Sequence, residues 1–305
     1  MEPNHFCGFI ITYNRVDILP DTINKLSQQT LPLQYLLIVD NSDNDETAQW
    51  YAQQNITWLH YYKVGYNSGA AGGAYYGLKI LANKGYKWIY WGDDNDPPLE
   101  KTVFEYLLKL PNASKTPAEI GILGGKGCKV NVFSGRTKNL TNKELKSGNN
   151  EVDYIAGGQQ LIVKAEILKN LSLLPSEKLF FSFEDLDFCL KVKSNGYKLL
   201  IDSESWLRGR GNTANNPNFR WKGTSFGKEK GMWRQYYSTR NILIIYSRNG
   251  MYLAVMYLFV KFLIKALMGF KYGTKYGVQN FKIIWFALSH FLTGRSGRFE
   301  QIHQH

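Results

Sequence analysis

Short apolar runs recur along the first two thirds of the chain, and each predicts a buried strand. They lie at Cys7–Tyr13, Leu36–Val39, Trp58–Tyr62, Lys87–Trp91 and Tyr197–Ile201. Between the first two runs, apolar residues recur at helical spacing, at Ile18, Leu19, Ile23 and Leu26. Strands that alternate with helices in this way are typical of an α/β fold with a mostly parallel sheet.

The rest of the chain divides into polar loops and a helical end. Val152–Val163 has the pattern of a strand, a glycine turn and a strand, and residues 133–150 and 207–230 are expected to be loops. Helical patterns then occupy residues 232–247, 250–269 and 279–292. We therefore predict an α/β domain over residues 1–230 and a helical region over residues 231–305.

Polar clusters follow three of the predicted strands. They are Thr12/Asn14/Arg15, Asp40/Asn41 and the acidic stretch Asp93 to Asp96. Ligands of open parallel sheets bind at the carboxyl ends of the strands. The three clusters are therefore expected to converge on one ligand site.

The acidic stretch Gly92-Asp93-Asp94-Asn95-Asp96 has the chemistry of a cation site. Three carboxylates in four positions repel one another unless a cation lies between them, and hard oxygen ligands suit Mg²⁺ or Mn²⁺. Asp94 and Asp96 would lie on the same side of an extended chain. The alternative is an acidic turn that Pro97-Pro98 ends.

A glycine-rich stretch from Asn67 to Gly73 precedes a predicted helix. Glycines at a helix start let the backbone N–H groups approach a diphosphate. The stretch matches neither a P-loop nor G-x-G-x-x-G. A tight turn with close helix packing is the alternative.

Glu184-Asp185-x-Asp187 opens another predicted helix, among four phenylalanines. A carboxylate there could act as the general base that deprotonates an acceptor hydroxyl, and apolar neighbours would raise its basicity. Acidic residues in a first turn also simply complement the helix dipole. Arg240 could pair with a phosphate or could be a helix-surface arginine.

The charge of the chain is unevenly distributed. Residues 1–204 hold 21 basic and 23 acidic residues, whereas residues 205–305 hold 16 basic and 2 acidic residues, a net charge of +14. Apolar and aromatic residues accompany this charge, which favours an anionic membrane surface over nucleic acid. The segment 251–270 is predicted to be an interfacial helix. Its charge-free run Gly250–Val260 has only 11 residues, whereas a membrane-spanning helix needs about 20 apolar residues. A helix that packs in the core or forms a homo-oligomer is the alternative.

The cysteines and the N-terminus constrain the compartment. Cys7, Cys128 and Cys189 lie far apart in sequence, which predicts buried thiols in a reducing compartment rather than a zinc site or disulfides. The first residues lack the charge and the long apolar run of a signal peptide. We expect a peripheral protein on the cytoplasmic side of the cell membrane.

Taken in order, the motifs resemble the inverting family-2 glycosyltransferases of the GT-A fold, especially the rhamnosyl- and galactofuranosyltransferase branch. The matching segments are IITYNR (10–15), IVDNSD (38–43), NSGAAGGAYYGL (67–78), WGDDND (91–96), FEDLDFCLKVKSNGYK (183–198), YYSTRN (236–241) and LTGRSGR (292–298). Each motif is weak alone, but together they span nearly the whole chain in the order of the family.

The resemblance implies roles for individual residues. The base and ribose of the nucleotide would contact Thr12, Tyr13, Arg15 and Asp40, and the donor diphosphate or sugar would contact Asn67, Gly72, Gly73 and Asp93. Asp94 and Asp96 would hold a divalent metal ion, Mn²⁺ or Mg²⁺. Asp185, with Glu184 beside it, would be the catalytic base.

Two positions depart from the family. Asn95 stands where the family often has a third aspartate, so the metal pair could also be Asp93 and Asn95. The branch tends to place a metal-binding histidine after the strand at 197–201, where this chain has DSESWLRGRG. Trp206, Arg208 and Arg240 are the remaining candidates for contacts to the acceptor or the diphosphate.

The sequence therefore predicts transfer of galactofuranose, rhamnose or a related hexose from a UDP- or dTDP-sugar to a glycan or lipid-linked glycan hydroxyl, with inversion. Bacterial cell-surface polysaccharide synthesis is the expected setting. One alternative is a sugar-phosphate nucleotidyltransferase, although the first strand–helix turn lacks a basic glycine-rich loop. The other is a non-enzymatic basic binding module, which would leave the acidic clusters unexplained.

Overall fold

A computed structural model describes residues 5–148, 151–158, 160–214 and 231–302. The strands are β1 (Phe6–Thr12), β2 (Leu36–Asp40), β3 (Leu59–Lys63), β4 (Trp88–Asp93), β5 (Ile120–Gly124), β6 (Cys128–Val130), β7 (Thr137–Asn139), β8 (Glu151–Val152), β9 (Leu161–Lys164) and β10 (Lys198–Ile201). The helices are α1 (Leu19–Ser27), α2 (Glu46–Ala52), α3 (Gly69–Ala82), α4 (Val103–Lys109), α5 (Asn142–Lys146), α6 (Glu184–Ser194), α7 (Ser203–Ala214), α8 (Trp233–Arg248), α9 (Tyr252–Met268) and α10 (Thr274–Leu292).

Eight strands form one mixed sheet in the order β3-β2-β1-β4-β9-β5-β10-β8. Strands β3, β2, β1 and β4 are parallel, β9 pairs antiparallel with both β4 and β5, and β8 pairs antiparallel with β10. Their apolar runs are buried on both faces, as expected for a sheet covered by helices. The predicted α/β fold with a mostly parallel sheet is confirmed.

Helices cover the sheet on both sides. On one face, α3 and α6 contribute Ala74, Leu78, Phe188 and Val192 to the core. On the other face, the core includes Leu19, Ile23 and Leu26 of α1 and Phe104 and Leu107 of α4. The three cysteines are buried free thiols, as predicted.

The C-terminal helices form a bundle beside α6. Helix α8 is buried along most of its length and packs against α9, α10 and the residues that precede α6. Helix α9 instead leaves many large apolar side chains exposed, among them Met256, Val260, Ile264 and Leu267. In the described part of the chain, residues 252–272 form the one helix that is long and apolar enough to cross a membrane.

Two expectations about loops are wrong. The segment 133–150 contains β7 and the short helix α5, which a capping box between Thr141 and Glu144 begins. The segment 207–214 continues helix α7 instead of starting a loop. Residues 215–230 lie outside the described residues, so the domain boundary near residue 230 stays a prediction.

Candidate active site

The register of the parallel strands brings the predicted polar clusters together. Thr12 at the end of β1 pairs with Asp40 at the end of β2, and Ile11 pairs with Asp93 at the end of β4. These three strand ends therefore form one edge of the sheet. This is the edge at which the sequence placed a ligand site.

Asp94 is held by neighbouring side chains. Its carboxylate accepts a hydrogen bond from Thr12 at 2.9 Å and forms an ion pair with Arg15 at 3.2 Å, and its carbonyl accepts one from Thr22. Burial raises the pKa of Asp94, while Thr12 and Arg15 oppose that rise. Any cation bound at Asp94 would share this carboxylate with Arg15.

Asp93 faces a concentration of negative charge. Burial, followed by the charges of Asp94, Asp185 and Asp96, raises the pKa of Asp93 to about 6. The Asp96 carboxylate lies against Gly158, where an added Cβ would be 2.6 Å from its Oδ2 atom. The β4 end and the start of α6 therefore share one electrostatic environment.

The turn that leads into α6, residues 179–183, has an unusual backbone. Phe180, Ser182 and Phe183 all have positive φ angles, at 65°, 71° and 68°. Such angles are costly for residues other than glycine and persist only where the surroundings fix them. The side-chain amide of Asn241 fixes them here, donating to the carbonyls of Leu179, Phe181 and Ser182 at 2.7–3.0 Å.

Asp185 follows this turn in the first turn of α6. Its carboxylate accepts hydrogen bonds from the Tyr154 hydroxyl at 3.0 Å and from the backbone N–H groups of Gly157 and Leu186 at 2.9 and 2.8 Å. Burial raises its pKa, and these donors counter part of the rise. A buried, well-oriented carboxylate of raised pKa suits a general base.

Glu184 differs from its neighbour. One oxygen of its buried carboxylate has no hydrogen-bond partner among the described residues. Burial, and then the charge of Asp185, raises the pKa of Glu184 to about 8. Clusters of carboxylates with shifted pKa values are common at functional sites.

Asp40 and Asn41 support the site from within the sheet edge. Both oxygens of Asp40 have protein partners, the N–H of Ser42 at 2.8 Å and the hydroxyl of Tyr61 at 2.7 Å. Asn41 bonds to Ser68 and to the carbonyl of Gly69. These residues join the end of β2 to the start of α3.

The glycine-rich stretch packs a helix against the sheet. Added Cβ atoms at Gly72 and Gly73 would lie 2.4 Å from Ser68 and 2.6 Å from Ile11, and Gly69 would meet the Phe180 carbonyl. The N–H of Gly69 donates to Asn67 at 3.0 Å, and that of Ala71 donates to Phe180. Gly73 thus allows close packing of α3 on β1, whereas the predicted donor contact of Gly72 and Gly73 stays a prediction.

Tyr13 lies at the exposed rim of the sheet edge and donates a hydrogen bond to Asp43. That bond raises the pKa of Tyr13, and Asn67 and Arg298 lie close enough to oppose the rise. Arg298 comes from the C-terminal LTGRSGR motif, to which the sequence assigned no role. The motif therefore reaches the rim where the nucleotide contacts were predicted.

Three predicted contact residues have other partners. Arg240 is fully buried, and its guanidinium donates to Asn241, to the Tyr236 hydroxyl and to the carbonyls of Leu179 and Gly297. The structure therefore gives Arg240 a positioning role at the turn 179–183, in place of the predicted phosphate contact. Trp206 is buried in the core beneath Arg210, and Arg208 bonds to Ser205 on α7.

The acidic edge has the donors for a divalent cation that a bound phosphate helps to hold. Within the described ranges, no three His, Cys, Asp or Glu side chains are grouped closely enough to hold a metal by themselves. Mg²⁺ and similar ions commonly take one or two carboxylates and complete their shell with substrate phosphates and water. Asp93 and Asp96 lie close enough for their charges to interact and could supply such a pair. In the predicted pair of Asp94 and Asp96, the Asp94 carboxylate already forms an ion pair with Arg15, and this pair stays a prediction.

Comparison with known proteins agrees with this geometry. Residues 8–152 match the sequence model of glycosyl transferase family 2. The galactofuranosyltransferase GlfT1 of Mycolicibacterium smegmatis is 27% identical over 104 residues. That match covers 33% of this chain and 33% of the curated relative, so the chain spans about a third of that protein's length.

Solved structures share the fold at low identity. S. aureus TarS in complex with UDP has a TM-score of 0.52 and 16% identity, covering 94% of this chain and 83% of that chain. The mannosyltransferase PcManGT from Pyrobaculum calidifontis, in complex with GDP-Man and Mn²⁺, has a TM-score of 0.53 and 12% identity, covering 95% and 88%.

The chain has the GT-A fold of these solved glycosyltransferases. Residues 8–152, slightly less than half of the chain, match glycosyl transferase family 2, which supports a glycosyltransferase.

Proposed function

We propose that this enzyme transfers a hexose, galactofuranose or rhamnose in the first place, from a UDP- or dTDP-sugar to a hydroxyl of a glycan acceptor with inversion. The observation that carries the proposal is the meeting of Asp93, Asp96 and Asp185 at one end of the sheet. Resemblance to a galactofuranosyltransferase and to a UDP-bound structure supports the donor class.

The reaction is a single in-line displacement. The acceptor oxygen attacks the anomeric carbon, the bond from that carbon to the diphosphate oxygen breaks, and Asp185 takes the hydroxyl proton. Tyr154 and the Gly157 N–H hold the carboxylate in place for this proton transfer. One displacement reverses the configuration at the anomeric carbon.

The leaving diphosphate needs positive charge. A divalent ion held by Asp93 and Asp96 would supply it as a Lewis acid. The Mn²⁺ in a structural neighbour supports this cofactor. Arg15 offsets part of the negative charge of this edge through its ion pair with Asp94.

We further propose that the enzyme works as a peripheral protein on the cytoplasmic side of a bacterial cell membrane. The exposed apolar residues of α9 and α10 support this placement, together with the basic C-terminal third. An interfacial helix buries one apolar face and keeps its lysines at the headgroups.

A thermal-shift screen against UDP, dTDP, GDP and CMP, each with and without Mn²⁺, tests the donor class. A ligand at a hundredfold excess over its Kd stabilises the folded state by about 2.7 kcal/mol. A shift with UDP or dTDP that grows with Mn²⁺ is expected, followed by turnover of the matching sugar nucleotide. Absence of a shift with every nucleotide would overturn the proposal.

A further inference from the structure

A large cavity lies beside the start of α6, where Tyr154, Phe183 and Leu186 line it. Its volume is about 1030 Å³, and helices α8 and α9, the β6–β7 hairpin and the start of α6 surround it. Its walls include the aromatic side chains of Tyr154, Phe183 and Trp233. The size is sufficient for a ligand larger than a single sugar.

The cavity is strongly cationic. Arg136, Arg234, Lys261 and Lys265 line it, and none of its described lining residues is acidic. Lys261 and Lys265 lie one turn apart on α9, and burial and this proximity lower the pKa of Lys265. Four positive side chains around one volume favour an anionic ligand.

Aromatic rings fix the two arginines. The guanidinium of Arg136 lies 5.4 Å from the centre of the Tyr257 ring, and that of Arg234 lies 5.3 Å from the centre of the Trp233 ring. Guanidinium groups at these distances make cation–π contacts with the rings, and a planar guanidinium can form bidentate bonds to phosphate. The cavity therefore presents placed donors as well as net charge.

One wall of the cavity is in direct contact with the candidate base. Tyr154 lines the cavity, and its hydroxyl donates a hydrogen bond to the Asp185 carboxylate at 3.0 Å. Leu186, which also lines the cavity, donates its backbone N–H to the same carboxylate. A ligand in the cavity thus lies one side chain from the group that accepts the proton. This is the position of an acceptor substrate.

The cavity continues onto an apolar surface. Leu258 and Phe262 of α9 face the cavity, and Ile264 and Leu267 of the same helix are exposed to solvent, at 54% and 63%. An apolar chain attached to an anionic group in the cavity could leave along this helix. Charge and apolar surface are therefore arranged for one amphiphilic molecule.

We propose that this cavity binds the diphosphate of a lipid-borne acceptor, with Arg136, Arg234, Lys261 and Lys265 on its phosphate oxygens and its apolar chain along α9. The proposal rests on the proposed function, because it assigns the acceptor side of the same site. The several charges of a diphosphate ester match four cations better than the single charge of a phosphodiester headgroup.

Farnesyl diphosphate, a soluble amphiphile, is the probe. Its binding is measured by calorimetric titration of UDP-saturated protein, so that the donor site does not take up the probe. Inorganic pyrophosphate, which represents the head group alone, and farnesol, which represents the apolar chain alone, are titrated for comparison. Farnesyl diphosphate is expected to bind more tightly than either. Each charge-assisted bond removed should weaken binding about tenfold, so K261Q and K265Q should each show this loss.

The control is K271Q, which removes an exposed lysine outside the cavity and should leave binding unchanged. K265R should retain binding, which separates loss of charge from misfolding. If pyrophosphate bound as tightly as farnesyl diphosphate, the apolar chain would have no role in binding and a lipid-borne ligand would be ruled out. If farnesol bound as tightly as farnesyl diphosphate, recognition of the diphosphate would be ruled out. Equal weakening by K271Q, or no binding of the probe, would overturn the site. UDP binding to the same sample reports separately on the proposed function.

Discussion

The two surfaces that meet at Asp185 have opposite chemistry. On the sheet side, burial and the charges of Asp94, Asp185 and Asp96 raise the pKa of Asp93 to about 6. On the helical side, lysines and arginines line a cavity of about 1030 Å³. The acidic side can hold a phosphate only through a cation, whereas the basic side can hold one directly.

This difference separates two anionic ligands around one base. A nucleotide diphosphate with its cation fits the acidic side, and the basic side repels that cation. An anionic acceptor fits the basic side, and the carboxylates repel it from the donor side. Under the two proposals above, this contrast in charge would direct the nucleotide donor to the acidic side and the anionic acceptor to the basic side. The following experiments test this arrangement.

The largest expected effect is on the group between the two surfaces. Asp185→Asn keeps the shape of the side chain but removes the base, and turnover should fall about 10²–10⁴-fold. UDP affinity should stay close to that of the unchanged protein. Asp21→Asn, at an exposed site on α1, is the control. Near-normal turnover of Asp185→Asn would assign the proton transfer to another group.

The next effect concerns the apolar surface of the helical side. Ile264→Asp combined with Leu267→Asp removes two exposed apolar side chains, each worth about 1.5–3 kcal/mol when buried. Binding to anionic vesicles should weaken at least about a hundredfold, as measured by co-sedimentation. Leu99→Asp, an exposed change on the sheet side, should have no effect. Equal vesicle binding by all three proteins would show that α9 does not contact the membrane.

A smaller effect is expected at the turn that joins the two surfaces. Asn241→Ala leaves three carbonyls of residues 179–183 without their donor and should destabilise the fold by about 1–3 kcal/mol. Turnover should fall more than UDP affinity, because Asp185 loses its position. Asn249→Ala, which removes a bond at the end of the same helix, is the matched control. A loss of stability without a loss of turnover would contradict the positioning role.

The smallest effect is a slope of stability with pH. The folded-state pKa of Glu184 is about 8, above its ordinary value of 4.5, so the folded protein binds more protons than the unfolded chain between these values. Stability should therefore fall as pH rises through this window. Glu184→Gln should flatten the profile of Tm against pH, and Glu166→Gln, a surface change, should not. An unchanged slope in Glu184→Gln would show that this carboxylate does not titrate there.

Much of the sheet side could be read from the sequence. Apolar runs fix buried strands locally, and parallel strands must end at a common edge, so the meeting of Thr12, Asp40 and Asp93 followed from their positions in the chain. Helix α5 was also readable from its Thr141-x-x-Glu144 capping box, although the polar composition favoured a loop.

The helical side could not be read in this way. Arg240 has the same chemistry on a surface and in a core, and its carbonyl partners at Leu179 and Gly297 lie about sixty residues away on either side. Gly73 suits helix packing and phosphate approach equally well until Ile11 is placed beside it. The basic cavity draws its residues from six separate segments, and periodicity within one segment cannot indicate such an assembly.

The bonds of residues 297–299 have a consequence for how the enzyme is made. Gly297 bonds to Lys178 and Arg240, and the N–H of Phe299 bonds to Tyr237, so this segment braces the turn before α6. During synthesis the strands and helices of residues 8–152 leave the ribosome long before this brace exists. The turn before α6 can therefore be braced only after residue 299 has emerged from the ribosome. Any activity that depends on this turn would appear only from that point of synthesis onward.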